Sequence, residues 1–263
     1  MRFFSTNVLF TNFGGISSAS SSTALAYLAF DEENDLQWTS VSEGTDGDSV
    51  YLERILSQAV NINRIFVKET NINNLTIEVD IGAGYVSLSS ASTFTLTKSS
   101  DGANYFYELD STISISKIKF TGSNTIVANS EKTVKQFLAF EEIGELKNFN
   151  DLQPKRERIQ KVSKLNAGKF DIINKGRQWA FKIKLKSHYN SSDNTLIDNI
   201  LQNSNEFWVW PNNKNENIIV MTQEPYRFQD IYKVAFQKSD SVQFMKNCYF
   251  SGIDVTFDLV EVA

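Results

Sequence analysis

Along most of the chain apolar and polar residues alternate in short runs, the two-residue period of a half-buried strand. The longest such run is RQWAFKIKLKSHY, where Trp179, Phe181, Ile183 and Leu185 fall on one side and Lys182, Lys184 and Lys186 on the other. LTIEVDI sets Leu75, Ile77, Val79 and Ile81 against Thr76, Glu78 and Asp80. INRIFVKET sets Ile62, Arg64, Phe66 and Lys68 against Ile65 and Val67. SVYLERIL, YVSLSS, TFTLTKS, YFYELD and ISISKIKF read the same way, and AYLAF reads as one more short strand before an acidic turn. With Gly, Asn, Asp and Ser turns between them, these segments predict an antiparallel β-sandwich from Ala24 to about Ala128.

The last hundred residues predict a second β-rich unit. EFWVWP, NIIVMTQ, IYKVAFQKS and CYFSGIDVTFDLVEV are its strand segments. Only SSDNTLIDNILQNS changes period, with Leu196, Ile197, Ile200 and Leu201 at helical spacing behind an N-cap at Ser192 or Asp193. In EFWVWP, Trp208 and Trp210 share one side and Phe207 and Val209 the other, so one apolar face is core and the other meets a neighbouring element. Between the units, SEKTVKQFLAFEEIGELKNF fits a helix and a strand equally well, and PKRERIQKVSK, with five Lys or Arg, reads as an exposed connector. At the start of the chain, Phe3, Phe4, Val8, Leu9 and Phe10 form an apolar arm, followed by the flexible tract GGISSASSSTA. Such an arm either adds a strand to its own sheet or reaches a neighbouring subunit.

The expected organisation is therefore an arm and tract over residues 1–23, a sandwich over 24–128, a partly helical connector over 129–164 and a β-rich assembly domain over 165–263. The fold class is mainly β, with two β-rich domains, the second a β-sandwich or barrel with one short helix.

Composition narrows the chemistry. The chain has 263 residues with 26 Lys and Arg against 31 Asp and Glu, and this net charge of −5 argues against a dedicated nucleic-acid binder. A single cysteine, Cys248, excludes an intrachain disulfide and reads as a buried small residue in a chain made in a reducing compartment. One histidine, His188, excludes a zinc site built from several Cys and His ligands and leaves a nucleophile–base triad with one candidate base, in what reads as a surface loop. DEENDLQ and EGTDGDS read as solvated acidic turns in preference to calcium loops, and the glycines at 82 and 84 as a hairpin turn. No apolar run reaches the roughly 18 residues of a membrane helix, and the N-terminus makes a poor signal peptide. No catalytic residue, metal or cofactor is expected, and no ligand-binding residue is assigned.

Two resemblances add to this. Residues 38–80, WTSVSEGTDGDSVYLERILSQAVNINRIFVKETNINNLTIEVD, resemble the first half of a discoidin or galactose-binding-like β-sandwich, with NYFYEL and ISKIKFTGS as later strands. Over 129–263, VKQFLAFEEIGEL, NEFWVWPNN, PYRFQDIYKVAF and YFSGIDVTFDLVEV resemble structural proteins of the tail and baseplate of tailed bacteriophages. That second resemblance implies a non-enzymatic virion component, made in the host cytoplasm, of the tail or baseplate ring type. Its partners would be copies of itself and other virion proteins, with a host-surface glycan as a further candidate. Phe3, Phe4, Val8, Leu9, Phe10, Trp208 and Trp210 are the interface candidates. The alternative reading is a carbohydrate-binding sandwich used for surface adhesion, through its loops or through Trp208 and Trp210. A third, a hydrolase with paired carboxylates, needs two acids lining one cleft.

Overall fold

The computed structural model describes residues 1–11, 16–32, 36–41, 48–146, 151–164, 170–188, 195–197, 199–200, 206–210, 231–236, 242–246 and 253–261; for the strands within 151–188, for 242–246 and, Leu259 apart, for 253–261 it describes the backbone alone. Sixteen strands run through these residues. They are β1 (Arg2–Phe4), β2 (Ile16–Ala19), β3 (Trp38–Thr39), β4 (Val50–Thr70), β5 (Ile72–Asp80), β6 (Tyr85–Ser87), β7 (Phe94–Lys98), β8 (Tyr105–Thr125), β9 (Thr133–Phe140), β10 (Glu142–Glu145), β11 (Asp151–Lys164), β12 (Phe170–His188), β13 (Phe207–Trp210), β14 (Tyr232–Phe236), β15 (Val242–Lys246) and β16 (Ile253–Glu261). Contacts divide the chain into two compact units. One holds Phe4–Glu142, together with Ile219–Asp230, which lie outside the described residues. The other holds Met1–Phe3, Ile143–Ile218 and Ile231–Ala263.

The first unit is an antiparallel sandwich organised by two bent strands. β4 and β8, 21 residues each, pair over three stretches: Val50–Ile55 with Lys117–Gly122, Val60–Ile62 with Ile113–Ile115, and Arg64–Val67 with Tyr105–Glu108. The register shifts between them, at Ile55/Val60 and Ile62/Arg64, are irregularities that bend and twist a strand. Each strand therefore serves two sheets. The later half of β4 and the earlier half of β8 build one in the order β3-β9-β4-β8-β7. Their other halves build the second, β2-β4-β8-β5-β6. This explains why SVYLERIL and INRIFVKET read as separate segments, as do YFYELD and ISISKIKF: each pair is one strand whose alternation is interrupted where it turns the corner.

The core lies between the two sheets. Phe120 of the second sheet stacks on Phe137 of the first, with ring centroids 3.7 Å apart and planes 12° apart. Phe30 packs on both, at 6.4 and 5.7 Å. Leu52, Ile77, Val79, Ile115 and Ile118 join Ile65, Val67, Tyr107 and Leu109 in the same buried cluster, with Trp38. Phe30 follows a 3-10 helix, Thr23–Ala29, where AYLAF read as a strand. Three residues per turn put Ala26 and Ala29 on one buried side, while Leu25 and Tyr27 stay exposed.

β9 resolves the helix-or-strand ambiguity of KQFLAFEEI in favour of a strand, paired to β4 from Arg64↔Phe140 to Thr70↔Val134. Residues 136–140 are all buried, so both faces of this stretch are covered and no two-residue period is visible in the sequence. The sandwich unit accordingly runs to Glu142, past the boundary read at 128. YVSLSS is a strand only through Ser87; Ser87 then caps a single helical turn, Leu88–Ala91, by accepting from the Ser90 N–H.

The N-terminal segment takes the first of its two expected fates. Arg2–Phe4 is a strand of the chain's own sheet, and Val8–Thr11 is one helical turn. Within the sandwich unit, the Ser5 N–H donates to Glu141 O at 2.9 Å, the Glu141 N–H donates to Ser5 Oγ at 3.1 Å, and the Ala139 N–H donates to Asn7 Oδ1 at 3.0 Å. In the serine tract that follows, Ile16–Ala19 pairs with Leu52–Ile55.

In the second unit the described strands form one sheet, β10-β1-β13-β14-β16-β12-β11, with β15 on β16, antiparallel at every pairing from β13 to β11 and at β15. A sandwich or barrel was expected; among the described residues the sheet is open, with helical residues 195–197 and 199–200 contributing Leu196, Ile197 and Ile200 to a core with Met1, Phe3, Leu146, Phe207, Val209, Val234 and Leu259. PKRERIQKVSK, read as a connector, belongs to β11, which pairs with β12 along its length. Pairing supplies the backbone hydrogen bonds that a strand needs whatever its charge. β15 had no counterpart in the sequence reading. Cys248, Leu201 and NIIVMTQ lie outside the described residues.

One close approach tests the sandwich packing. A Cβ on Gly122 of β8 would sit 2.8 Å from Cδ1 and from Cγ2 of Ile72. Gly122→Ala is expected to cost about 1–3 kcal/mol in urea unfolding, the usual range for overpacking, and Ile72→Val, which deletes Cδ1, to return part of that loss.

Candidate functional site

Strand alternation leaves one side of the second sheet facing away from the core, and register places its polar residues in rungs. The first rung is Tyr51, Thr121 and Thr76. The second is Ser18, Glu53, Lys119, Glu78 and Ser87. The third holds Lys117, Asp80 and Tyr85. Tyr51 is 38% exposed, and Glu53, Glu78, Tyr85, Lys117 and Lys119 are half-buried.

The rungs are tied to one another. Lys119 Nζ lies 2.7 Å from Glu78 Oε2, and Lys117 Nζ lies 3.1 Å from Asp80 Oδ2. The same two ammonium groups sit 5.0 and 5.7 Å from the centroid of the Tyr85 ring, within cation–π range. The Tyr85 hydroxyl donates to Glu53 Oε1 at 2.5 Å, and the Ser18 hydroxyl donates to Glu53 Oε2 at 2.8 Å. Burial first, and the Glu53 carboxylate second, push the Tyr85 phenol well above the usual tyrosine range, so it donates to Glu53 throughout neutral pH. Glu53 is thereby held in one orientation, two residues along the strand from the exposed Tyr51 ring and on the same side of the sheet.

A tight turn anchors the far edge. Asp80 Oδ1 accepts from the Gly82 N–H at 2.8 Å and from the Gly84 N–H at 3.1 Å. Both glycines have positive φ, 116° and 100°, which L side chains rarely adopt. The Gly82 N–H foremost, then the Lys117 ammonium, hold the Asp80 carboxyl below the usual carboxylate range. The turn read from the glycines at 82 and 84 is thus the element that joins β5 to β6 and brings Tyr85 over Lys117 and Lys119.

Other polar clusters serve the fold. Arg64 is clamped by Glu108 at 3.1 Å and Glu142 at 2.5 Å, and it donates to the carbonyls of Asn63 and Leu109. Arg54 donates to Leu9 O and Ser17 Oγ, with its guanidinium 5.9 Å from the Phe30 ring centroid; burial lowers its pKa. Among the described residues no group of three or more His, Cys, Asp and Glu is arranged to hold a metal ion. Residues 33–35 of DEENDLQ and most of EGTDGDS lie outside the described residues. The backbone of His188 ends β12 opposite Ile253, where a loop was read.

The residues proposed from sequence as interface contacts are placed in the interior of the chain or close to it. Phe3, Phe4 and Leu9 are fully buried, Trp208 and Trp210 nearly so at 4% and 2%, and Val8 and Phe10 are half-buried. Phe3 packs on Phe207 at 6.1 Å within the second unit, and Phe4 packs on Phe66 and Phe140, each at 5.5 Å, within the sandwich. Both faces of FWVW are covered, so neither offers open surface. The sequence reading did not single out Tyr51, Glu53, Tyr85, Lys117 or Lys119 as a site. Their signal is present only as the polar half of each alternation; it becomes a surface once the register of β4, β8 and β5 is known.

No protein-family model matches the chain, and no curated protein does. Solved structures similar in fold include the galactose-bound family 32 carbohydrate-binding module of NanJ from C. perfringens, at 18% identity and TM-score 0.42, covering 52% of this chain and 98% of that one. A second is chitosan-binding module 1 of a chitosanase/glucanase from Paenibacillus sp. IK-5, at 16% identity and TM-score 0.40, covering 51% and 98%. A third is a Clostridium perfringens module, CpGH89CBM32-5, in complex with GalNAc-β-1,3-galactose, at 11% identity and TM-score 0.41, covering 52% and 100%. At these values the likeness decides nothing about a ligand here, and the sandwich assignment stands on strand order and packing.

Two measurements check these placements. Because Asp80 has a lowered folded pKa, its ionised form contributes stability that is complete above the unfolded-state value of about 3.9 and is lost as pH falls through the folded value. The stability gap between the wild type and Asp80→Asn is therefore expected to be constant near neutrality and to close in acid, in denaturant titrations run from pH 7 to pH 2. Trp210→Ala is expected to cost about 3–5 kcal/mol of stability, as for a buried aromatic; a change under 1 kcal/mol would mark the ring as surface.

Proposed function

We propose that the protein is a non-catalytic carbohydrate-binding protein of the surface-adhesion kind, and that the outward side of the second sheet of its sandwich takes the sugar. The observation that carries this reading is the Tyr51–Glu53–Tyr85 arrangement. An exposed aromatic ring stands beside a carboxylate whose orientation is set by two hydroxyl donors. The apolar C–H face of a pyranose packs on an aromatic ring, while its hydroxyls donate to a carboxylate and accept from an ammonium. Glu53 and Glu78 supply acceptors, and Lys117 and Lys119 supply donors, on adjacent rungs. Rigid strands hold these groups in place before a ligand arrives, which lowers the ordering cost of binding. Carbohydrate binding in the structurally similar modules is consistent with this class of ligand.

Most of the residues read from sequence as subunit contacts are buried in the chain itself. Nothing in the fold or the comparisons points to a phage particle.

A glycan array probed with the wild type, Tyr51→Ala and Glu53→Gln is the direct test. The wild type is expected to bind a subset of glycans, and each variant to lose at least tenfold in affinity with an unchanged melting temperature. Full binding by both variants would refute the assigned surface, and an empty array for the wild type would refute the function.

A further inference from the structure

β11 and β12 continue beyond the sheet that carries them. β12 pairs with β16 only from Ala180, opposite Val260, to His188. Towards the hairpin tip, residues 170–179 of β12 pair with β11 alone among the described strands, from Arg156↔Trp179 to Lys164↔Phe170. The result is a two-stranded ribbon, residues 156–164 with 170–179, extending about 30 Å past the last shared rung at the usual rise per residue. Among the described strands it has no further partner at either edge. A ribbon of two strands is marginally stable in water on its own, and its open edges are templates for further pairing.

Its charge is opposite to that of the rest of the chain. Residues 156–179 hold seven Lys and Arg against Glu157 and Asp171, a net charge of +5. The whole chain carries −5, which leaves −10 on the remainder. The register places Arg158 directly opposite Arg177. Lys164 closes one strand and Lys175 and Arg177 lie on the other, so positive charge runs along the ribbon.

We propose that this basic ribbon is a self-association element that docks on an acidic surface of a second copy of the same chain. The complement is supplied by the chain itself: every copy brings one basic ribbon and a body of net charge −10. Such a contact is heterologous, with the ribbon of one copy on the body of the next, and it produces a closed ring or a chain of copies according to its rotation. Charge complementarity of this kind is screened by salt and sets the orientation and rate of docking. The ribbon lies outside the sandwich unit, and its charge argument does not use the sugar-binding reading.

Sedimentation velocity of the full chain tests it. The wild type is expected to self-associate at 50 mM NaCl and to sediment as a monomer at 500 mM. Arg156→Glu/Arg158→Glu/Lys161→Glu is expected to be monomeric at both. Arg156→Lys/Arg158→Lys/Lys161→Arg, which preserves charge, is expected to associate as the wild type does, and it keeps the test decisive if the charge-reversed protein folds poorly. A wild type that is monomeric at every concentration and salt, or association that ignores both salt and charge reversal, overturns the proposal. So does a ribbon whose charge reversal abolishes retention of single- or double-stranded DNA or RNA without changing the oligomeric state.

Discussion

The sandwich depends on one constraint: β4 and β8 must each turn a corner while staying paired to the other. A break in register at Ile55/Val60 and another at Ile62/Arg64 accomplish this. The corner brings two halves of one continuous hydrogen-bonded ladder face to face. Phe120 then meets Phe137 ring to ring, and Phe30 closes beside them. Without the bend, β5 and β9 would extend one wide sheet whose apolar residues had nothing to cover them. With it, the same strands bury one side and turn the other to solvent.

That outward side follows from the inward one. Alternation commits Leu52, Ile118, Phe120, Ile77 and Val79 to the core, and the residues between them, Tyr51, Glu53, Lys117, Lys119, Glu78 and Asp80, can only point away from it. Lateral pairing then sets carboxylates beside ammonium groups at 2.7–3.1 Å. The glycine turn at 82–84 lays Tyr85 across them. The candidate site is therefore a by-product of the core register with one added device, the turn.

Much of the architecture was legible in the pattern of the chain. β5 was readable because its two sides differ sharply in polarity, and β12 because lysines mark every second position. β9 was not, since residues 136–140 are buried whichever way they point and a fully covered strand has no period. The 3-10 helix at Thr23–Ala29 was misread because AYLAF has strand composition, while its three-residue spacing appears only as Ala26 and Ala29. The charged stretch in β11 looked like a linker because charge suggests exposure, and an exposed strand is as polar as a loop. The site was hidden for a different reason: its members are spread over residues 51 to 119, and only cross-strand register brings them together.

The placement of Arg2–Phe4 between Glu142–Glu145 and Phe207–Trp210 has a consequence for biosynthesis. A ribosome delivers this strand roughly 200 residues before its second neighbour, an interval of about 10–40 s at ordinary elongation rates. Throughout that wait one lateral edge of a short, phenylalanine-bearing strand has no native neighbour. Slower translation or heat would lengthen or worsen the exposure, so the yield of correctly folded chain is set by what shields the nascent strand in the cell as well as by the stability of the finished sheet.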